Sequence, residues 1–179
     1  NTTISRYNES CLNIFKKSCD IVLDPNPARQ TTITVANFTD EAAWKNKDEN
    51  VYIFVRNGAI MKIGGTRTGM KDRWGSYLCG HCVQERIAKK TQKPFVGKMS
   101  VTNAHLYHTI EKDLISARGE WSIWVWKLPT AQITVDILGV TTTLTAQTYH
   151  AYESRCMANF RKIAGHIPQL CHNSDPFYR

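Results

Sequence analysis

The sequence predicts an α+β fold: a small antiparallel β-sheet flanked by helices, with an N-terminal helical extension. Three observations carry that expectation. Residues 51–65 read V-Y-I-F-V-R-N-G-A-I-M-K-I-G-G, two strand-like runs joined by Asn57-Gly58, a strong hairpin-turn signal. Met70, Arg73, Trp74, Tyr77 and Leu78 then fall at i, i+3, i+4, i+7 and i+8, the stripe of one helix face. Finally, W-S-I-W-V-W-K (Trp121 to Lys127) reads as a further strand between two helical patterns.

With 179 residues, the chain fits one domain (51–179) preceded by an extension (1–50) packed on it. The hydrophobic share of 42% and charged share of 21% belong to a folded globular protein rather than a disordered one. Lys+Arg of 23 against Asp+Glu of 15 gives a formal charge of +8. That balance suits a polyanionic partner, most simply nucleic acid, although a merely basic protein has the same charge. No apolar run approaches the ~20 residues of a membrane span. The N-terminal N-T-T-I-S-R-Y-N-E-S lacks a signal-peptide pattern, and the sequons at Asn1, Asn8 and Asn37 matter only in a secreted protein.

Six scattered cysteines (Cys11, Cys19, Cys79, Cys82, Cys156, Cys171) suit free thiols in a reducing cytoplasm. Cys79-Gly80-His81-Cys82 with Cys171-His172 has the look of a zinc site. A zinc module would normally show a second tight pair, and the chain has only one.

Ile4, Tyr7, Cys11, Phe15 and Cys19 are spaced as on a helix over residues 3–19, and Asp24 to Arg29 (D-P-N-P-A-R) ends it. Thr32 to Val35 is a strand candidate, and a polar stretch over 40–50 leads into the hairpin. Beyond the Met70–Leu78 helix, residues 85–98 carry five positive charges and one negative. They read as a loop suited to backbone phosphates or to plain solvation. A helix over about Asn103 to Ala117 buries Leu106, Ile110 and Leu114, with Thr102 as cap and Gly119 closing it. The tryptophans of the next strand suit core better than base stacking. Gln132 to Thr145 is extended and rich in Thr and Val. The last helix runs from the cap Thr148 to Ala164, closes at Gly165 and buries Tyr149, Cys156, Phe160 and Ile163.

The hairpin register decides which side chains meet. A two-residue turn pairs Tyr52 with Ile63 and leaves Lys62 on the other face. A three-residue loop, Arg56-Asn57-Gly58 with Gly58 left-handed, sets Tyr52 directly opposite Lys62 with Cβ atoms ~5 Å apart. The second register is expected, with Val55 paired to Ala59. Two further side chains are out of place on apolar stripes. Arg73 calls for an internal carboxylate or an external phosphate. Glu153, at the i+4 place on the last helix's buried face, calls for an arginine or a metal ion.

Tyr52 on one strand, Lys62-Ile63-Gly64 on the next, Arg73 on a helix and Glu153 on a late helix resemble the GIY-YIG nuclease superfamily. Within it, they resemble the type II restriction endonucleases in which lysine replaces the YIG tyrosine. Ser76-Tyr77-Leu78-Cys79-Gly80, Ser100-Val101-Thr102-Asn103 and the Glu153 to Phe160 spacing are similar too. The resemblance covers about residues 51–174. Val51-Tyr52-Ile53 stands where GIY is expected, the second tyrosine is absent, and Asn173 is a loose match to a terminal asparagine.

The resemblance implies site-specific cleavage of double-stranded DNA by a homodimer in the cytoplasm of a prokaryotic or phage-infected cell. It makes Tyr52 the general base, its phenol pKa lowered by the Lys62 ammonium, and lets Lys62 itself accept the proton. It makes Arg73 the holder of the scissile phosphate, Tyr77 a contact to that phosphate or to water, and Glu153 the ligand of one divalent cation, Mg²⁺ first. Arg67, Lys90, Lys93 and Arg118 are candidate DNA contacts by residue type. Two alternatives stand: a nuclease of mobile-element or repair type, and a non-catalytic basic nucleic-acid-binding module.

Overall fold

The computed structural model describes residues 14–27, 31–79, 86–87, 94–95 and 98–171, with backbone alone at 86–87, 94–95 and 98–102. Strands β1 (Lys16–Leu23), β2 (Ile33–Ala36), β3 (Asn50–Arg56), β4 (Ala59–Thr66) and β7 (Trp121–Lys127) form an antiparallel sheet in the order β2-β1-β7-β3-β4. The described helices are α1 (Glu41–Lys45), α2 (Met70–Leu78), α3 (Lys98–Ile115) and α4 (Tyr149–Ala164). The α+β expectation holds.

Alternation along the strands sorts the core into two layers. Tyr52, Phe54, Ile123 and Val125 bury one sheet face under Met70, Trp74 and Tyr77 of α2 and Leu106, Tyr107 and Ile110 of α3. Val51, Ile53, Val55, Ile60 and Ile63 bury the other under Met157 and Phe160 of α4. On β7, Trp121 is buried, while Trp124 and Trp126 are half-buried against the α4 layer, so these tryptophans are core. The extended segment is a hairpin apart, β8 (Ala131–Ile137) with β9 (Val140–Ala146), whose Leu138 at the turn is fully exposed. No helix among the described residues is long and apolar enough to cross a membrane.

Three expectations about element boundaries change. Lys16–Leu23 is a strand, so the helix expected over 3–19 cannot extend through Cys19; residues 3–13 lie outside the described residues. A spacing of four is even, and so fits a period of two as well as 3.6. Helix α3 begins at Lys98, which puts Thr102 inside it rather than at its cap. In the basic segment, Arg86–Ile87 (β5) pairs with Pro94–Phe95 (β6), while Lys90 and Lys93 lie outside the described residues.

The hairpin also departs from the expected register. Val55 pairs with Ile60, not Ala59, across a two-residue turn in which Asn57 (φ 47°) and Gly58 (φ 79°) are both left-handed. That turn matches the right-handed twist of the strands, and Asn-Gly is the pair that tolerates it. A bulge follows at Met61, after which Phe54 pairs with Lys62 and Tyr52 with Gly64. Tyr52 therefore does not stand opposite Lys62. The bulge nevertheless returns Lys62 to the Tyr52 face, diagonally offset, where Cβ atoms stand roughly 7 Å apart.

Candidate active site

Three of the expected site residues form one hydrogen-bonded cluster. Tyr52 Oη and Tyr77 Oη are 2.7 Å apart. Arg73 donates from Nε to Tyr52 Oη at 3.0 Å and from Nη2 to Tyr77 Oη at 3.4 Å, with its guanidinium 4.7 Å from the centre of the Tyr77 ring. Helix α2 makes this possible: Arg73 and Tyr77 are one turn apart, over the strand that carries Tyr52. Both phenols are buried. Arg73 is half-buried, and no carboxylate of the described residues lies within ion-pair distance of it. Among the described residues, the internal salt bridge that an arginine on this stripe could have made is not there.

The glycines of β4 bring the rest of the site together. A Cβ on Gly64 would lie 2.4 Å from Tyr52 Cζ and Oη, so the phenol rests on bare backbone. A Cβ on Gly65 would lie 2.8 Å from the Tyr149 ring and 2.9 Å from Glu153 Oε2 on the opposite face. The consecutive glycines thin the sheet where the two layers supply complementary groups. The Gly65 backbone, against which Glu153 lies, favours the charged carboxylate. Lys62 is buried, and its Nζ donates to Leu170 O at 3.3 Å. The chain around Leu170 runs along the edge of β4, its N–H donating to Met61 O at 2.9 Å.

The electrostatics correct one expectation. Burial pushes the Tyr52 phenol well above its ordinary value and Tyr77 adds to the shift, while Arg73 and Lys62 only oppose it. Desolvation disfavours the charged form and wins here over two cations. Tyr77 is likewise raised by burial. Burial also raises the Glu153 carboxyl, with Lys62, His150 and Arg73 pulling it down from a distance. The two phenol oxygens, Tyr52 first, favour the charged guanidinium that donates to them, and against the opposing effect of burial they hold Arg73 more firmly protonated than an ordinary arginine.

A stability prediction follows from the phenols. Each has a folded pKa above its unfolded value of about 10, so its contribution is complete below pH 10 and is lost as pH rises through the folded value. Thermal unfolding from pH 8 to 11 should show Tm falling steeply above pH 10. In Tyr52→Phe the fall should be shallower, on top of a loss of about 1 kcal/mol at neutral pH from the missing hydrogen bond. Parallel Tm curves for the two proteins would refute the assignment.

A divalent cation fits Glu153. The carboxyl is half-buried, shifted against ionisation by burial, and within ion-pair distance of no cation of the described residues. One carboxylate suffices where substrate phosphate and water complete the shell, as Mg²⁺ prefers. Among the described residues no three His, Cys, Asp or Glu side chains cluster as a metal cage. Cys19 and Cys171 are buried, Cys156 half-buried and Cys79 exposed, all as free thiols.

Of the other candidates, Arg67 is exposed just past β4, where it lines a surface groove of about 360 Å³ with Lys47, Thr68 and Gln147. Arg118 sits at the far, turn end of the hairpin, its carbonyl accepting from Asn57 Nδ2 at 3.3 Å. That is roughly 16 Å along β3 from Tyr52 at ~3.3 Å per residue. Asn173 lies outside the described residues. Sequence reasoning missed His150, whose place three residues before Glu153 on one helix was a usable signal. It also missed Leu170 and Cys171, whose Sγ stands 3.4 Å from Ile63 N. Nothing local marks these two, since they reach the site through tertiary packing.

Solved structures that resemble the chain include two DNA-related proteins. One is described as restriction endonuclease HPY188I in complex with product DNA; it is 22% identical, with 95% of this chain and 84% of that one covered and a TM-score of 0.46. The other is a mutant of bacteriophage T4 EndoII, 15% identical, with 87% of this chain and 96% of that one covered and a TM-score of 0.53. No protein-family model and no curated protein matches the chain. These findings correct the expected family. Likeness to T4 EndoII at 15% identity establishes a fold, not membership of the GIY-YIG superfamily or its restriction subgroup, and the Tyr52–Lys62 pairing drawn for that assignment is absent.

Proposed function

We propose that this chain is a site-specific endonuclease that hydrolyses phosphodiesters of double-stranded DNA with the help of one divalent cation, as restriction enzymes do. One observation carries the reading: Arg73 is fixed by two buried phenols and neutralised by no described carboxylate, while Glu153, across the Gly64-Gly65 strand, makes no ion pair among the described residues. An arginine held this way is an anion site awaiting its anion. The net charge of +8 suits a polyanionic substrate, and the fold shared with T4 EndoII is compatible with the reading.

Arg73 uses two of its five N–H donors on the phenols, leaving three for the scissile phosphate. Tyr52 is the base for the attacking water. At neutral pH it is a phenol hydrogen-bonded to Tyr77, so only the minor phenolate form acts: the phenol gives its proton to solvent, Arg73 and Lys62 support the charge left behind, and the phenolate then takes the proton of the attacking water. Glu153 holds the cation, which when bound offsets charge on the leaving oxygen. Each chain supplies one such cluster, and cutting both strands calls for a homodimer.

Incubation with DNA of known sequence and Mg²⁺ tests the reading. Discrete fragments with fixed ends are expected; a smear would remove the site specificity, and intact DNA would leave only a binding module. Base catalysis by Tyr52 predicts a rate that climbs with pH. Lys62→Met removes one of the two cations that lower the phenol, so the climb should move to higher pH. An unmoved pH–rate profile would rule out Lys62 as a tuner of Tyr52.

A further inference from the structure

We infer that Glu49 is a positioning residue for Glu153, acting by gripping the first turn of α4; this rests on the reading of Glu153 as the cation ligand. A helix N-terminus leaves its first N–H groups without partners, and a Ser, Thr, Asp or Asn at the cap usually serves them. Helix α4 has the expected Thr148 at that place. The Thr148 side chain makes no capping bond, and its Oγ1 is buried without a partner. The acceptors come instead from Glu49, ninety-nine residues earlier. Thr148 N–H donates to its Oε1 at 3.1 Å and to Oε2 at 3.3 Å, and Tyr149 N–H to Oε1 at 3.4 Å. A carboxylate there also meets the positive end of the helix dipole.

The location of Glu49 gives this grip a purpose. It immediately precedes β3, three residues before Tyr52, and its carbonyl accepts from Leu128 N–H at 3.0 Å just beyond β7. Glu153 is one turn beyond Tyr149, and both lie against Gly65. A single residue thus ties the strand bearing the candidate base to the helix bearing the candidate cation ligand. A capping threonine could hold α4 together, but it could not fix that helix to β3.

Glu49→Ala should speed amide hydrogen exchange at Thr148 and Tyr149 and weaken Mn²⁺ binding to the DNA-free chain about tenfold, the scale for partners that orient a metal ligand. Glu49→Gln keeps one acceptor and should fall between Ala and wild type, which preserves the test if the alanine variant folds poorly. Cleavage should need about tenfold more Mg²⁺, with most of the maximal rate recovered at saturation. Faster exchange with unchanged Mn²⁺ affinity would overturn the inference, as would unchanged exchange. If wild type and Glu153→Gln bind Mn²⁺ alike, the reading of Glu153 fails, and this inference with it, whatever the exchange at α4 shows.

Discussion

Gly64→Ala is expected to lower the single-turnover cleavage rate by about 10²-fold, the scale for misplacing a catalytic group by an ångström. The new methyl would sit 2.4 Å from Tyr52 Cζ and Oη, closer than any real contact. The ring has nowhere to go. Its hydroxyl is pinned by Tyr77 at 2.7 Å and Arg73 at 3.0 Å, and Phe54 and Tyr77 pack edge-on to it with ring centres 5.8 and 6.2 Å away. Overpacking of this kind costs roughly 1–3 kcal/mol, so Tm should fall as well. Gly75→Ala on α2 is the control: nothing lies within 4 Å of its added Cβ, and alanine is the better helix former. That variant should cleave normally and be more stable. A Gly64→Ala protein that folds and cleaves like wild type would remove Tyr52 from the mechanism.

How much of this site was legible depended on the range of the interactions. Helix α2 announced itself through Met70, Trp74 and Tyr77, and the same periodicity placed Arg73 one turn from Tyr77. That a turn falls at Asn57-Gly58 was equally plain, but its type was not: a three-residue loop was expected, and the structure has the two-residue turn with both positions left-handed. Nor was the register two residues further on. It turns on the Met61 bulge, which depends on how β4 packs between the Leu170 segment and β3. No spacing rule contains that bulge. The strand β1 was misread because a spacing of four is shared by both periods, and pairing with β2 and β7 decided the outcome.

The charge balance of the site was legible only in part. Arg73 and Glu153 stood out because each broke an apolar stripe, which is a one-helix observation. That neither found an ion-pair partner among the described residues required the fold. The Tyr52 phenol shows the limit most clearly. Two cations near a phenol suggest a lowered pKa, yet burial outweighs both, and burial is a property of the packed layers. Glu49 was invisible for a similar reason: a threonine in the proper cap position concealed that the cap is supplied by the residue just before β3.

Glu153→Gln is expected to reduce cleavage by roughly 10²–10³-fold while making the cation-free protein more stable. The two effects share one cause. Burial raises the carboxyl pKa, so the protonated form is the one the fold prefers. The stability this group lends is present below the ordinary carboxylate range and is lost as pH rises through the raised value. At neutral pH the charged carboxylate therefore opposes folding unless a cation joins it. Glutamine has nearly the same shape and no charge, so it should gain on the order of 0.5–1 kcal/mol, as relief of functional strain commonly does. The gap should close as pH falls through the raised value into the ordinary carboxylate range, by which point the wild-type carboxyl has taken up its proton. Mg²⁺ should raise the Tm of the wild type and leave that of the variant unmoved. A Glu153→Gln protein less stable than wild type at pH 7 without cation would mean that the carboxylate has a favourable partner in the fold, and the site would lose its cation.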